Sequence, residues 1–180
     1  MAMLEPGTGW ADRIRDVPGF PKPGIVFKDI GPLLADPHAF ASAVEAMVSP
    51  LRGLGVQVVC GAESRGFIFG VPIAQALGAG FVPIRKPGKL PGSVRSVSYA
   101  LEYGSDTLEL QEDAVPAGTR VLLVDDLLAT GGTAGACCRL LQEAGAELSA
   151  VAVLIELASL GGREALPAGV PVQAAMTVAG

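Results

Sequence analysis

The sequence predicts an α/β fold in which a central parallel sheet is flanked by helices. Apolar runs at 56–60, 80–85, 121–124 and 147–155 have the length of buried strands. Strands and helical segments alternate from Val56 onward, often through a polar or Gly-rich loop, and this alternation is typical of parallel sheets. Half of the residues are hydrophobic and only 5% are aromatic, so we expect a core of Ala, Val and Leu.

Length, charge and cysteine usage exclude several classes of protein. A chain of 180 residues suffices for one domain with a proper core. The net charge of −5 argues against nucleic-acid binding, and no apolar run is long enough to cross a bilayer. We therefore expect a cytoplasmic protein with no nucleic-acid or membrane partner. Cys60, Cys137 and Cys138 lack metal-site spacing and are predicted to be packing residues.

The first 50 residues predict an irregular N-terminal cap. Residues 10–16 are predicted as a short helix, which the Pro/Gly-rich segment at 18–24 ends. Residues 25–30 fit either an edge strand or a lid, in which Phe27 beside Lys28 stacks on a planar heterocycle. Asp36 and Pro37 form a good helix start, and the helix is expected to end near Val48.

A second strand, loop and helix follow at 56–77. The strand at 56–60 leads into a polar loop, and a helix is predicted over 67–77. Arg65 at the start of this helix would add a fork of donors to the backbone amides, which suits an anion. The alternative reading is that Arg65 only pairs with Glu63.

The strand at 80–85 leads into a basic, Pro/Gly-rich segment and then into a predicted hairpin over 96–110. The cations of this segment are Arg85, Lys86 and Lys89. A mobile hairpin with a basic loop could close over a pyrophosphate and deliver the carboxylate of Glu102. A solvated turn is the equally favoured alternative.

The most informative stretch is 121–133, where an apolar run ends at Asp125 and Asp126 and a Thr-Gly-Gly-Thr turn follows. The turn would bring backbone N–H groups of the next helix, predicted over 134–144, against a phosphate. A P-loop is excluded because no Lys follows Gly132. The two carboxylates suit sugar hydroxyls or a magnesium ion, so the predicted ligand is a phosphorylated ribose. The alternative is an acidic loop without a ligand. Strands at 147–155 and 170–178 complete the chain.

This order of apolar run, two acids, three spacers and Thr-Gly-Gly-Thr resembles the phosphoribosyl-pyrophosphate signature of the type I phosphoribosyltransferases. Other stretches are similar to one branch, the adenine phosphoribosyltransferase family, and together they cover most of the chain in the right order. These stretches are 20–30, 63–67, 84–92, 101–104, 124–133 and 156–157.

The resemblance implies a type I phosphoribosyltransferase fold, with a five-stranded parallel core, a small N-terminal hood and a flexible β-hairpin loop. Residues 1–180 would form one domain, with the hood mainly in 1–35 and the core mainly in 36–180. The implied reaction converts adenine and phosphoribosyl pyrophosphate to AMP and pyrophosphate in purine salvage. Mg²⁺ would be carried by the substrate without a direct protein ligand, and the protein would be a homodimer.

The resemblance also assigns roles to residues. Asp125 and Asp126 would hold the ribose hydroxyls, and Glu102 would handle the proton on the purine. The 5′-phosphate would bind the phosphate loop, which consists of Ala129, Thr130, Gly131, Gly132 and Thr133. Pyrophosphate would bind the loop around Arg65, aided by the cations Arg85, Lys86 and Lys89. Adenine would be recognised by Val26, Phe27, Lys28 and Leu157.

Two departures and two alternatives accompany this assignment. Lys28 stands where the family often carries arginine, and the segment 93–97 differs from the usual loop sequence. A phosphoribosyltransferase for hypoxanthine, guanine or xanthine is the nearest alternative, but its relatives usually carry an acid where this chain has Ala129. A non-enzymatic regulator that senses phosphoribosyl pyrophosphate is a more distant alternative, since it generally needs a nucleic-acid-binding surface.

Overall fold

In the computed structural model, which describes residues 9–100 and 105–179, the chain divides between Ala46 and Met47 into two compact units. The N-terminal unit begins with a 3₁₀ turn over Trp10–Arg13, and a two-stranded antiparallel ribbon follows. Its other elements are β1 (Arg15–Pro18), β2 (Val26–Asp29), α1 (Gly31–Ala35) and most of α2 (Pro37–Val48). The predicted single domain with a hood over 1–35 stays a prediction.

Cross-strand ion pairs explain why the helix predicted over 10–16 stops early. Arg15 donates to the Asp29 carboxylate at 2.6 Å, and Lys28 donates to Asp16 at 2.7 Å. These pairs join β1 to β2, so residues 15 and 16 extend as a strand instead of continuing the helix. The strand predicted at 25–30 is confirmed as β2.

The helix start predicted at Asp36 is confirmed by its capping geometry. The Asp36 carboxylate accepts hydrogen bonds from the backbone N–H groups of His38 and Ala39, both at 3.0 Å. Pro37 occupies the first helical position, where a missing N–H costs nothing. These contacts hold the pKa of Asp36 below its ordinary value, chiefly through the amide of Ala39.

The second unit contains a five-stranded parallel sheet. Its strands are β3 (Val58–Ala62), β4 (Gly80–Ile84), β7 (Arg120–Leu128), β8 (Glu147–Leu157) and β9 (Val172–Val178). They lie in the order β4-β3-β7-β8-β9, and every neighbouring pair is parallel. The helices α3 (Arg65–Leu77) and α4 (Gly132–Glu143) follow β3 and β7. The predicted α/β fold with a central parallel sheet is confirmed.

The strand order places a topological switch point between β3 and β7. The chain leaves β3 toward β4 on one side, whereas β7 and the later strands lie on the other side. Open α/β sheets bind their ligands at the carboxyl ends of the strands at such a point, because the loops there diverge and leave a crevice. The loops after β3 and β7 are therefore expected to form the site.

The predicted hairpin is confirmed and is longer than expected. Its strands are β5 (Val94–Ala100) and β6 (Ser105–Gln111), which pair antiparallel from Val94 with Gln111 to Ala100 with Ser105. Buried side chains of the hairpin, including Val97 and Leu108, join the same core cluster as α4.

The three cysteines are also buried and unbridged, as predicted. No helix in the described ranges is long and apolar enough to cross a membrane.

Candidate functional site

A cavity of about 240 Å³ opens at the carboxyl ends of β3 and β7. These strands are hydrogen-bonded neighbours, with Gly61 in register with Val124, so their loops begin side by side. The cavity is lined by Glu63, Ser64 and Arg65 from the first loop and by residues 125–134 from the second. The structure thus brings together Arg65, both aspartates and the whole phosphate loop.

The two aspartates lie near the carboxyl end of β7 in different surroundings. Asp126 is only 5% exposed and forms an ion pair with Arg65, whose Nε lies 3.0 Å from Asp126 Oδ2. Asp125 is half-buried, and its Oδ1 accepts a hydrogen bond from the backbone N–H of Asp126 at 2.9 Å. Arg65 thus pairs with Asp126, a partner that the sequence did not indicate.

Burial changes the protonation behaviour of this pair. Burial, followed by the neighbouring Asp126 carboxylate, raises the pKa of Asp125 well above its ordinary value. Burial also raises the pKa of Asp126, while the Arg65 guanidinium acts in the opposite direction. A ligand that brings hydroxyl donors or a cation to Asp125 would favour its charged form.

Close packing explains the glycine next to Arg65. A Cβ at Gly66 would lie 2.7 Å from the carbonyl oxygen of Val124. The start of α3 therefore rests directly on β7, and this contact brings the Arg65 side chain within reach of Asp126. The sequence offered only a loop glycine as a signal for this contact.

The phosphate loop, residues 129–133, turns sharply between β7 and α4. Gly131 has a φ of +81°, a conformation that side chains rarely adopt, and α4 begins at the next residue. The first N–H groups of a 12-residue helix have no partner within the helix and point toward its N-terminal end. The loop therefore offers backbone donors and a partial positive charge to an anion in the cavity.

The basic segment, residues 85–89, is held by carboxylates. Glu63 accepts hydrogen bonds from Arg85 Nε at 3.3 Å and from the Lys86 backbone N–H at 3.0 Å, and it also pairs with Lys89. Lys86 Nζ lies 3.0 Å from Asp106 Oδ2 on β6. Hydrogen bonding from Lys89, helped by the other contacts, holds the pKa of Glu63 below its ordinary value. These three cations do not line the cavity, but each of the three residues contacts Glu63, which does line it.

The hairpin touches the phosphate loop through a residue that the sequence did not single out. The hydroxyls of Tyr99 and Thr133 are 3.3 Å apart, and Tyr99 is 8% exposed. Burial raises the pKa of Tyr99. Glu102, the predicted acid, lies outside the described residues.

The remaining predicted residues lie elsewhere. Val26, Phe27 and Lys28 form β2 in the N-terminal unit, where Phe27 makes an edge contact with Phe20 at a centroid distance of 5.1 Å. Leu157 ends β8, half-buried, and is not among the residues that line the cavity. Residues 9–100 and 105–179 contain no cluster of three or more His, Cys, Asp or Glu side chains that could hold a metal ion.

Comparisons with known proteins point in one direction. Residues 34–166 match the model of the phosphoribosyl transferase domain. The chain is 56% identical over 170 residues to the adenine phosphoribosyltransferase of Cutibacterium acnes, covering 93% of this chain and 96% of the relative.

Solved structures agree with this similarity. The adenine phosphoribosyltransferase of Rhodothermus marinus superposes with a TM-score of 0.87 at 51% identity, covering 93% of this chain and 95% of that one. The enzyme of Trypanosoma brucei, solved in complex with AMP, pyrophosphate and ribose-5-phosphate, has a TM-score of 0.85 at 26% identity and covers 97% of this chain and 82% of its own.

Proposed function

The chain belongs to the phosphoribosyl transferase family, among the adenine phosphoribosyltransferases, and from this premise we propose how its residues transfer phosphoribose to adenine. The reaction joins adenine to the C1 carbon of phosphoribosyl pyrophosphate and releases AMP and pyrophosphate, as in purine salvage. The observation that carries the proposal is the single cavity in which Arg65, the Asp125 and Asp126 pair and the phosphate loop meet.

The phosphate loop binds the 5′-phosphate of the donor. Its backbone N–H groups and the hydroxyls of Thr130 and Thr133 supply the donors, and the start of α4 supplies a positive potential. These donors and this potential take the place of the lysine that a P-loop would supply. The proposal is supported by the position of residues 129–133 along one wall of the cavity.

Asp125 and Asp126 hold the ribose. Ribose hydroxyls donate to carboxylate oxygens, and this supply of donors favours the charged form of Asp125 that burial alone disfavours. When the bond between C1 and pyrophosphate breaks, positive charge develops on the ribose. A negative charge held nearby then stabilises the transition state more than the ground state.

Pyrophosphate binds at the loop after β3. Arg65 offers its guanidinium at the cavity, and the cations Arg85, Lys86 and Lys89 move from their carboxylate partners toward the leaving group as its charge develops. The oxygen donors of the cavity suit a hard cation, and Arg65 already occupies one carboxylate, so Mg²⁺ would arrive on the pyrophosphate and be held through water near Asp125. When bound, it supplies charge neutralisation to the leaving group.

The recognition of adenine by Val26, Phe27 and Lys28, and the contact of Leu157 with the base, are proposed on the family resemblance of their stretches of sequence. Phe27 and Val26 offer apolar surface to a planar ring, and the Lys28 ammonium is held by Asp16 at 2.7 Å. Adenine loses a proton from its ring nitrogen as the new bond to C1 forms, and Glu102 accepts that proton.

We also propose that the protein is a cytoplasmic homodimer, with the exposed apolar residues Ile68 and Val71 of α3 available for a contact between copies.

The proposed substrate is tested by incubating the purified protein with Mg²⁺, phosphoribosyl pyrophosphate and each purine in turn. Adenine is expected to be consumed fastest, with AMP and pyrophosphate formed in equal amounts. Faster consumption of hypoxanthine or guanine would refute adenine as the acceptor. Sedimentation of the same sample tests the homodimer.

The role of Glu102 is tested by Glu102→Gln, which keeps the shape of the side chain and removes its basicity. We expect kcat to fall by roughly a hundredfold, because a positioned general base contributes on that scale, while the KM for phosphoribosyl pyrophosphate changes little. A variant with the wild-type kcat would remove Glu102 from proton transfer.

A further inference from the structure

An ion pair between a buried carboxylate, Glu156, and a half-exposed guanidinium, Arg163, lies next to the phosphate loop and outside the cavity. We propose that Glu156 and Arg163 are positioning residues that hold the phosphate loop in its phosphate-binding shape, an inference that rests on the function proposed above. Neither residue lines the cavity, and the Arg163 guanidinium is bonded to Glu156 and to the carbonyl oxygen of Val172, so neither is expected to touch the substrate. Their effect is carried by the turn over Gly162–Ala165.

The pair joins the end of β8 to this turn with two hydrogen bonds. Arg163 Nε donates to Glu156 Oε1 at 2.6 Å, and Arg163 Nη2 donates to Glu156 Oε2 at 2.7 Å. Glu156 is 6% exposed and lies in register with Leu128, the last residue of β7 before the phosphate loop. A bidentate pair of this kind fixes orientation as well as distance. Arg163 therefore sets where the turn stands relative to the end of the sheet.

Strand β9 reinforces the pair. Arg163 Nη1 donates to the carbonyl oxygen of Val172 at 3.4 Å, and the Thr177 hydroxyl lies 3.5 Å from Glu156 Oε2. Hydrogen bonding by Arg163 holds the pKa of Glu156 below its ordinary value even though the carboxylate is buried. The pair is thus a fixed, charged connection among two strands and one turn.

The backbone of the turn packs directly against the backbone of the phosphate loop. A Cβ at Gly131 would collide with the carbonyl oxygen of Gly162, and a Cβ at Gly162 would collide with the carbonyl oxygen of Ala129. One turn further along α4, a Cβ at Gly135 would lie 2.6 Å from the carbonyl oxygen of Ala165. These contacts leave the loop no room to move toward the turn.

A displaced turn would therefore release the loop. Removing Arg163 leaves the Glu156 carboxylate buried without its charged partner, and the local structure is expected to open so that water can reach it. The turn would then move away from Ala129 and Gly131. The backbone N–H groups of the phosphate loop would no longer all point toward the bound phosphate. Misplacement of a binding group by about 1 Å can weaken its action by orders of magnitude, even when the change lies away from the chemistry.

The test uses Arg163→Met with Arg120→Met as the matched control. Arg120 also bonds through its Nε, to the carbonyl oxygen of Gly55 at 2.6 Å, but at the opposite end of β7. We expect Arg163→Met to raise both the KM for phosphoribosyl pyrophosphate and the Kd for ribose 5-phosphate by about tenfold. The KM for adenine is expected to change by less than about twofold, and Arg120→Met to leave all three values unchanged.

A second readout does not depend on catalysis. Hydrogen exchange at the amides of residues 131–135 is expected to quicken in Arg163→Met and to keep its wild-type rate in Arg120→Met. Arg163→Lys, which keeps the charge but cannot form the bidentate pair, should give intermediate values and covers the case in which the Met variant does not fold.

The outcomes separate the two proposals. Wild-type exchange rates and an unchanged ribose 5-phosphate affinity in Arg163→Met, or equal effects of Arg163→Met and Arg120→Met, would overturn the positioning role. Failure of the wild-type protein to convert adenine would instead overturn the proposed function, and the exchange rates would still decide the role of the pair.

Discussion

The two loops at the carboxyl ends of β3 and β7 lie side by side, yet they are held in place by different forces. The phosphate loop after β7 is fixed by shape, since Gly131 meets the backbone at Gly162 with no space for a side chain. The loop after β3 and the basic segment are fixed by charge, since Glu63 gathers Arg85 and Lys89 around one carboxylate.

This difference follows from the donors that each loop presents. Backbone N–H groups cannot be reoriented by a counterion, so the chain must hold them by packing. Cationic side chains repel one another in the absence of a ligand, and a carboxylate that binds them keeps them together until a stronger anion arrives. The contact of the phosphate loop with the turn should therefore respond to changes in volume, with the Glu156 and Arg163 pair holding the turn behind it. The basic segment should respond directly to changes in charge, salt and pH.

The largest expected effect comes from Gly131→Ala, which tests the region fixed by shape. Its left-handed backbone and the contact with Gly162 should together cost roughly 2 to 5 kcal/mol of unfolding free energy, measured by urea denaturation. Gly118→Ala is the matched control, because Gly118 has a φ of +78° but open space around it. It should cost only about 1 to 2 kcal/mol. Equal losses in the two variants would show that packing against the turn contributes nothing.

A smaller effect is expected from Asp125→Asn, at the border between the two regions. The loss of a charge-assisted hydrogen bond to ribose should raise the transition-state free energy by about 1.5 to 3 kcal/mol. The measured result would be a lower kcat/KM for phosphoribosyl pyrophosphate. In the protein without ligand, the same substitution should instead raise the free energy of unfolding at neutral pH. Because burial raises the pKa of Asp125, the wild type loses stability as the pH rises above the ordinary value of 3.8, and the amide does not.

At neutral pH the ligand-free Asp125→Asn variant should therefore unfold at a higher urea concentration than the wild type. Asp113→Asn, at an exposed position after β6, serves as the control. It should change neither kcat/KM for phosphoribosyl pyrophosphate nor the urea concentration at which the protein unfolds. Wild-type kinetics in Asp125→Asn would remove this carboxylate from the ribose site.

The smallest effect is expected from Glu63→Gln, which tests the region fixed by charge. The partners of Glu63 are partly exposed, so the ion pairs should contribute only about 0.5 to 1 kcal/mol at neutral pH. Because the pKa of Glu63 is lowered in the folded chain, this contribution is present above the ordinary value of 4.5 and is lost as the pH falls through the lowered pKa. The stability difference between the variant and the wild type should shrink accordingly in acid.

Salt sharpens the same comparison. High ionic strength should loosen the basic segment in the wild type and reduce the difference that Glu63→Gln makes, since partly exposed pairs are screened. The stability loss in Gly131→Ala should not depend on salt. A salt-dependent loss at Gly131, or a salt-independent one at Glu63, would contradict the division between shape and charge.

The sequence predicted the fold and the central motif because both depend on local patterns. Continuous apolar runs indicated buried parallel strands, and the two acids before Thr-Gly-Gly-Thr indicated where a phosphate and a sugar could meet. The helix start at Asp36 was equally local, because a cap and its partner lie within three residues. The ribbon between β1 and β2 was missed because its ion pairs join residues 12 and 14 positions apart.

The partners of the charged residues were decided only by the tertiary structure. From sequence, Glu63 was the natural partner of Arg65, whereas the fold gives Arg65 to Asp126 and gives Glu63 to the basic segment. Tyr99 and Arg163 had no signal of their own, and the resemblance at 156–157 did not indicate that Glu156 pairs with Arg163. Their importance arises from contacts between segments that are distant in the chain.

The sequence by itself therefore determined which segment is proposed to bind phosphoribose, because strand, acids and glycine turn are neighbours along the chain. Only the tertiary structure decided what holds that segment in shape. Residues 129–131 are positioned by a turn more than 30 residues later, and this depends on the parallel pairing of β7 with β8, which no local pattern specifies.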